Sequence, residues 1–272
     1  MEKTVRSLLL VLFAFIICVN GYKLFEIYTQ HKKEAQIKAD MRKYRFALSE
    51  IQYGAGDLDL PNIMDGNNNS KQALDGVRQS TNQSIIDLQN EVNKDVIGWL
   101  TIPNTKIDYP FVISKDNDYY LRRDIYGNQA SAGTLFMDFR CGRDFLSFNT
   151  IIYGHNMKNG GMFSDLKKYA DMSFFDRNAS GTIFLGKDTY KLEIFAYIIV
   201  RADDAIIYNP LAERSVFYEY VKQNASNFRE PKATGNVVAL STCTYDYDDA
   251  RMVVLANITL LNTMAEGAGW TA

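Results

Sequence analysis

Residues 239–256 read ALSTCTYDYDDARMVVLA. Two apolar runs of strand character flank the polar stretch TYDYDDA, the pattern of two strands joined by a short connection. Paired as antiparallel neighbours, these runs place Cys243 at the end of one strand and Arg251 at the start of the next, at one rim of the sheet. A guanidinium beside a thiol favours the thiolate. It also binds the oxyanion that forms when a thiolate attacks a carbonyl.

Such a site needs a base, and the chain has two histidines. His31 follows the apolar N-terminal segment directly. His155 lies in NTIIYGHNMKNGGMF, where a strand runs out into a glycine-containing loop ahead of the helical candidate MFSDLKKYA. An imidazole at a strand exit faces a rim or cleft, and it titrates near neutrality. Taken singly, a cysteine is more often a small buried hydrophobe, a histidine a surface residue and an arginine a solvated one. All three at strand ends, in a chain with three cysteines and two histidines, raise a Cys-His-Arg site to equal standing with filler.

The 272 residues carry a net charge of −2, which argues against a nucleic-acid binder. Apolar residues make up 47%, enough for a core. Residues 7–22, SLLLVLFAFIICVNGY, follow the basic start MEKTVR without a single charge. With no good small-residue cleavage site after them, they read as an uncleaved signal-anchor. Lysines and arginines flank this segment on both sides, so placing the body of the protein outside the cytoplasm rests on the signal-like layout. Cys18 falls inside the anchor. The remaining Cys141 and Cys243 make no disulfide framework, and without any C-x-x-C or Cys/His spacing a structural zinc is not expected.

The expected organisation is an anchor over 1–24, a helical stalk and polar linker over 25–90, a globular domain over 91–262 and a tail over 263–272. The linker signal is strongest in 54–84, with its glycines and Asn run. Strand signals dominate the domain: 97–102, 106–113, 133–138, 149–155, 181–186, 190–200, 236–243 and 251–260. The clearest helix is 215–226, with Val216, Tyr220 and Val221 on one face. This mainly β pattern predicts a closed barrel or a sandwich with helices inserted in its connections, not a strict βαβ alternation.

The series YGHNM, MFSDL, LSTC and an arginine opening the final strand resembles the sortases, in particular class B. The likeness extends to GWLTIPNTKIDYPFV and NDYYL (117–121), and covers roughly Asp95–Leu260. The family's T-L-x-T-C stands here as A-L-S-T-C with Ala239 in first place, and its frequent R-F-V-V as R-M-V-V. The resemblance implies an eight-stranded sortase-type β-barrel with inserted helices, behind an N-terminal helix and membrane anchor. It implies Cys243 as nucleophile, His155 as acid/base and Arg251 as oxyanion stabiliser. Asn117, Leu121, Tyr153, Ser241, Thr242 and Tyr208 are then expected to line the substrate groove.

By the same resemblance the reaction is transpeptidation without metal or organic cofactor. A secreted protein's C-terminal sorting signal is cut after threonine and passed to an amine of cell-wall peptidoglycan. A pilin-polymerising sortase using a pilin lysine is the alternative within the family, and an inert wall-binding module the alternative outside it. A papain-like peptidase is disfavoured, because that class places its cysteine ahead of the histidine and at a helix N-terminus. The acidic residues Asp246, Asp248 and Asp249 read as a solvated turn.

Overall fold

The computed structural model describes residues 2–45, 83–244 and 248–263, which leaves most of the expected polar linker, Asp246 and most of the tail outside the described residues. It divides into two compact units, Met1–Lys43 and Tyr44–Ala272. The first holds helix α1, Glu2–Met41, 40 residues long or about 60 Å at the usual helical rise. Every described side chain from Thr4 to Lys33 is exposed, including the whole uncharged run. Its apolar part is long enough to cross a bilayer, which makes α1 a candidate membrane anchor. The apolar segment and the Lys- and Glu-rich segment after it form one unbroken helix.

The second unit begins its described sheet domain with α2 (83–91), then β1 (Val96–Thr101), β2 (Asp108–Ile113), β3 (Leu135–Met137) and β4 (Asn149–Tyr153). After α3 (Met172–Arg177) come β5 (Ser180–Leu185) and β6 (Asp188–Arg201). Helix α4 (Arg214–Asn224), β7 (Asn227–Phe228), β8 (Val237–Cys243) and β9 (Ala250–Thr263) complete it. The strands run in the order β5-β1-β2-β3-β4-β8-β9-β6, and β6 pairs back onto β5, so eight strands close into a barrel. Closure removes the free edges that an open sheet would expose. Two-residue β7 is an appendage on β6 at Ala196 and Tyr197. Most pairs are antiparallel, but β2–β3 and β4–β8 are parallel.

The long strands β6 and β9 pair along almost their full length, with register shifts near Tyr190 and between Ile194 and Ala196. Such bulges bend a strand, which lets one pair serve two sides of a barrel. Buried Phe111, Leu135, Ile152, Leu192, Leu240 and Val254 belong to one apolar cluster.

The helix expected at 215–226 is α4. The Glu213 side chain caps it by accepting from the Ser215 and Val216 backbone N–H groups. Its buried face is Phe217, Tyr218 and Val221, whereas Val216 is exposed, so the face expected from Val216 and Tyr220 is rotated. The helix expected in MFSDLKKYA is a 3-10 helix, Ser164–Ala170. Phe163, Leu166 and Tyr169, three residues apart, are all fully buried. In a three-residue turn positions i and i+3 eclipse, so the whole row faces the core.

Candidate active site

In the β8–β9 ladder Cys243 is the direct cross-strand partner of Arg251, so both side chains leave the sheet on the same side. On the other flank of β8, parallel β4 runs in register, with Tyr153 opposite Ser241. The Gly154 N–H extends this ladder by donating to the Ser241 carbonyl at 3.1 Å. One step beyond that bond lie His155 on one chain and, two residues past Ser241, Cys243 on the other. The rim therefore carries His155, Cys243 and Arg251 on three adjacent strand ends, with the cysteine in the middle.

The His155 ring is oriented by its Nε2, 2.7 Å from the Leu121 carbonyl oxygen. A carbonyl only accepts, so Nε2 carries the proton, and Nδ1 is the nitrogen free to exchange one in the neutral ring. The Phe163 N–H donates to the His155 carbonyl, and the single Ser164 Oγ–H is shared between the Met157 and Gly161 carbonyls, closing the loop on itself. Asn156 Nδ2 donates to the Cys243 carbonyl at 3.0 Å, across 87 residues of sequence. The histidine loop is thereby tied to the strand that carries the thiol.

Gly154 explains the close approach of that loop. A Cβ there would lie 2.4 Å from Leu135 Cδ2 and 2.8 Å from Phe163 Cδ2, well inside contact distance.

The two cysteines of the second unit differ sharply. Cys141 is buried, its thiol faces the Asn149 carbonyl at 3.6 Å, and burial pushes its pKa up to about 11. That thiol stays protonated and shielded. Cys243 is exposed at the rim. The Arg251 guanidinium donates from Nη1 to the Ala250 carbonyl at 3.0 Å.

The remaining residues expected in the groove divide by face. Ser241 alternates onto the same side as Cys243, and its Oγ hydrogen-bonds the Tyr208 hydroxyl at 2.8 Å. Burial raises the Tyr208 pKa to about 12, with Ser241 and nearby Arg251 pulling it down and Cys243 among the groups pushing it up. The Tyr208 ring stacks on Tyr153, centroids 6.1 Å apart. Tyr153 in turn donates its hydroxyl to Asp138 Oδ2 at 2.9 Å. Asn117 donates to the same oxygen at 3.1 Å, while Leu121 contributes the carbonyl that holds His155. Thr242 is the exception: it alternates to the opposite face from the thiol, and its buried Oγ1 has no partner among the described residues. Among the described residues no group of three His, Cys, Asp or Glu side chains is placed to hold a metal ion.

Residues 100–259 match the family model for the sortase domain. The chain belongs to the sortase family. Among curated proteins it is 41% identical to Sortase B of Listeria monocytogenes over 189 residues, 67% of this chain and 76% of that one. Among solved structures, a Streptococcus pyogenes class B sortase involved in pilus biogenesis superposes with a TM-score of 0.60 at 32% identity. That alignment covers 64% of this sortase and 97% of the other chain. A Staphylococcus aureus sortase B–substrate complex gives a TM-score of 0.67 over 85% of this chain and 98% of that one; at 23% identity it speaks for the fold alone. This sortase is therefore a class B member, a cysteine transpeptidase.

Two parts of this sortase's rim were not singled out from sequence. Asn156 had a signal, an amide directly after the histidine in YGHN. Asp138 and Arg140 had a weaker one, DFR at the end of a short apolar strand. Both act on residues distant in sequence, which no local pattern reports.

Proposed function

We propose that this class B sortase cleaves the C-terminal sorting signal of secreted proteins after a threonine and joins the cleaved chain to an amine of cell-wall peptidoglycan. Cys243 is the nucleophile. Its sulfur forms a bond to the threonine carbonyl carbon, and Arg251 holds the resulting oxyanion. His155 takes up the thiol proton as the sulfur attacks and passes it to the departing amine as the C–N bond breaks, leaving a thioacyl enzyme and a neutral imidazole. In the second half an acceptor amine attacks the thioester, His155 takes up a proton, and sulfur leaves. A fixed donor at such an oxyanion is worth about 3–4 kcal/mol.

The observation that carries this reading is the strand register. Cys243 is paired with Arg251 across one ladder, and β4 ends beside β8 on the other at Tyr153, two residues before His155. The groove side of Cys243, walled by Tyr153, Ser241 and Tyr208, is where the sorting peptide lies. Helix α1 anchors the enzyme as a single span, and the catalytic unit works outside the cytoplasm, where secreted chains and wall amines meet.

The test is product analysis with the full chain in detergent, a peptide carrying a Thr–Gly or Thr–Asn bond, and a competing amine. The expected product is an amide between the threonine carbonyl and the wall-type amine. Hydrolysis alone, unaffected by any added amine, would contradict transfer. A second reading, polymerisation of pilins through a lysine, draws on the likeness to the pilus-associated Streptococcus pyogenes enzyme. It predicts that a lysine-bearing pilin peptide outcompetes the wall amine.

A further inference from the structure

One buried carboxylate near the rim has no place in the chemistry above. Asp138 follows β3, where its N–H donates to the Ile151 carbonyl of β4, and its side chain is fully buried. Five donors converge on its two oxygens. Arg140 gives Nε to Oδ1 at 2.8 Å and Nη2 to Oδ2 at 2.7 Å, a bidentate pair, and its backbone N–H reaches Oδ1 at 3.0 Å. The Tyr153 hydroxyl and Asn117 Nδ2 complete the set on Oδ2.

The Asp138 carboxylate is fully enclosed while its Arg140 partner is 45% exposed, and a buried charge persists only when its oxygens are satisfied in this way. What distinguishes this one is where its partners lead. Tyr153 stacks on Tyr208, whose hydroxyl meets Ser241, two residues before the thiol. Arg140 spends a further N–H on the Tyr208 carbonyl at 2.9 Å, so the ring and the backbone of Tyr208 are both fixed relative to Asp138. Asn117 also accepts from the Phe139 N–H, which clamps the start of the segment whose Leu121 carbonyl orients His155.

We propose that Asp138 is the positioning residue of the peptide groove: its carboxylate sets the places of Tyr153, Asn117 and, through Arg140, Tyr208, and so registers the groove wall against Cys243. It touches no reacting atom. The Tyr153 hydroxyl, committed to Asp138, is not a substrate ligand, and Tyr153 meets the peptide with its ring. This inference rests on the proposed peptide-cleaving function and assigns a specificity role within it.

The experiment measures steady-state cleavage of a quenched fluorescent peptide with a Thr–Gly or Thr–Asn bond by the full chain in detergent. Asp138→Asn, close in shape but without the charge, is expected to raise KM about 10- to 100-fold, the loss typical of a charge-assisted bond, while kcat changes less than about threefold. Tyr153→Phe, which deletes only the hydroxyl, raises KM in the same direction. The double variant is no worse than Asp138→Asn, because the two changes remove one shared contact.

An unchanged KM in folded Asp138→Asn overturns the proposal, as do effects that multiply in the double variant. If Asp138→Asn does not fold, Tyr153→Phe and Asn117→Ala decide: both must raise KM, and normal KM in both overturns it. A wild-type chain that cleaves neither peptide overturns the sorting function itself, and the role of Asp138 with it.

Discussion

Replacing Gly154 with alanine tests how tightly the histidine loop is built. The backbone angle there is ordinary, so the added methyl is not strained by φ; only space opposes it. Its nearest neighbours are Leu135 Cδ2 at 2.4 Å and Phe163 Cδ2 and Cγ at 2.8 and 2.9 Å. Both side chains are fully buried, so neither can swing into solvent. Overpacking of this kind costs about 1–3 kcal/mol. At about 2–4 °C per kcal/mol for a unit of this size, Gly154→Ala lowers Tm by about 2–12 °C.

The alternative to that strain is to lift the loop, which lengthens the His155–Leu121 and Gly154–Ser241 contacts. Activity should therefore fall further than stability alone explains. The matched control is Gly161→Ala in the same loop, where the nearest atom is the Asn159 Oδ1 side-chain oxygen at 3.1 Å, which accepts from the Gly161 N–H and needs to shift only a few tenths of an ångström. It should stay within about 0.5 kcal/mol of wild type. Thermal melts read beside single-turnover peptide cleavage make the comparison. A Gly154→Ala protein that melts and turns over like Gly161→Ala would refute the packing argument.

Arg251→Lys should be nearly as damaging as Arg251→Ala, about 100-fold or more in kcat, since a point charge lacks the planar fork; near-wild-type kcat removes the oxyanion role. Ser241→Ala strands the buried Tyr208 hydroxyl and should cost about 1–3 kcal/mol in urea unfolding, whereas Ser241→Ala with Tyr208→Phe should recover much of that loss. An equal or larger loss in the double variant sinks the pairing. For Asp138, burial pushes the carboxyl up, but the Arg140 side chain and N–H and the Tyr153 hydroxyl together bring it below its ordinary range. A depressed folded-state pKa means that its stabilisation is present above the unfolded value, about 3.9, and is lost as pH falls through the folded one. The stability gap between wild type and Asp138→Asn should narrow as pH is lowered from 6 to 3, and a gap constant with pH would contradict it.

What was legible in the sequence follows the reach of local pattern. The Cys243–Arg251 pairing could be seen because its two strands are joined by a short connection and antiparallel pairing then fixes the partners. The long strands β6, β8 and β9 announced themselves by β-branched runs, and the apolar spacing of Val216, Tyr220 and Val221 marked α4 but not its Glu213 cap. Parallel β4–β8 was not legible: nothing near NTIIYGH signals a partner strand 88 residues on, Asn149 opposite Val237, yet that ladder is what carries His155 to the thiol. The family resemblance implies that Thr242 lines the groove, but strand alternation sends it to the face opposite the Cys243 thiol. The reach of Asp138 depended on Arg140 and Tyr208, 68 residues apart, meeting across the rim.

The most direct test of the assembled rim is to trap its covalent intermediate. The full chain in detergent is mixed with peptides carrying a Thr–Gly or Thr–Asn bond, quenched in acid, and its intact and digested masses are measured. The expected result is one acyl fragment ending in threonine, mapped to Cys243, absent from Cys243→Ala and retained in Cys141→Ala. An adduct on Cys141, or one that survives in Cys243→Ala, would contradict Cys243 as the nucleophile between His155 and Arg251.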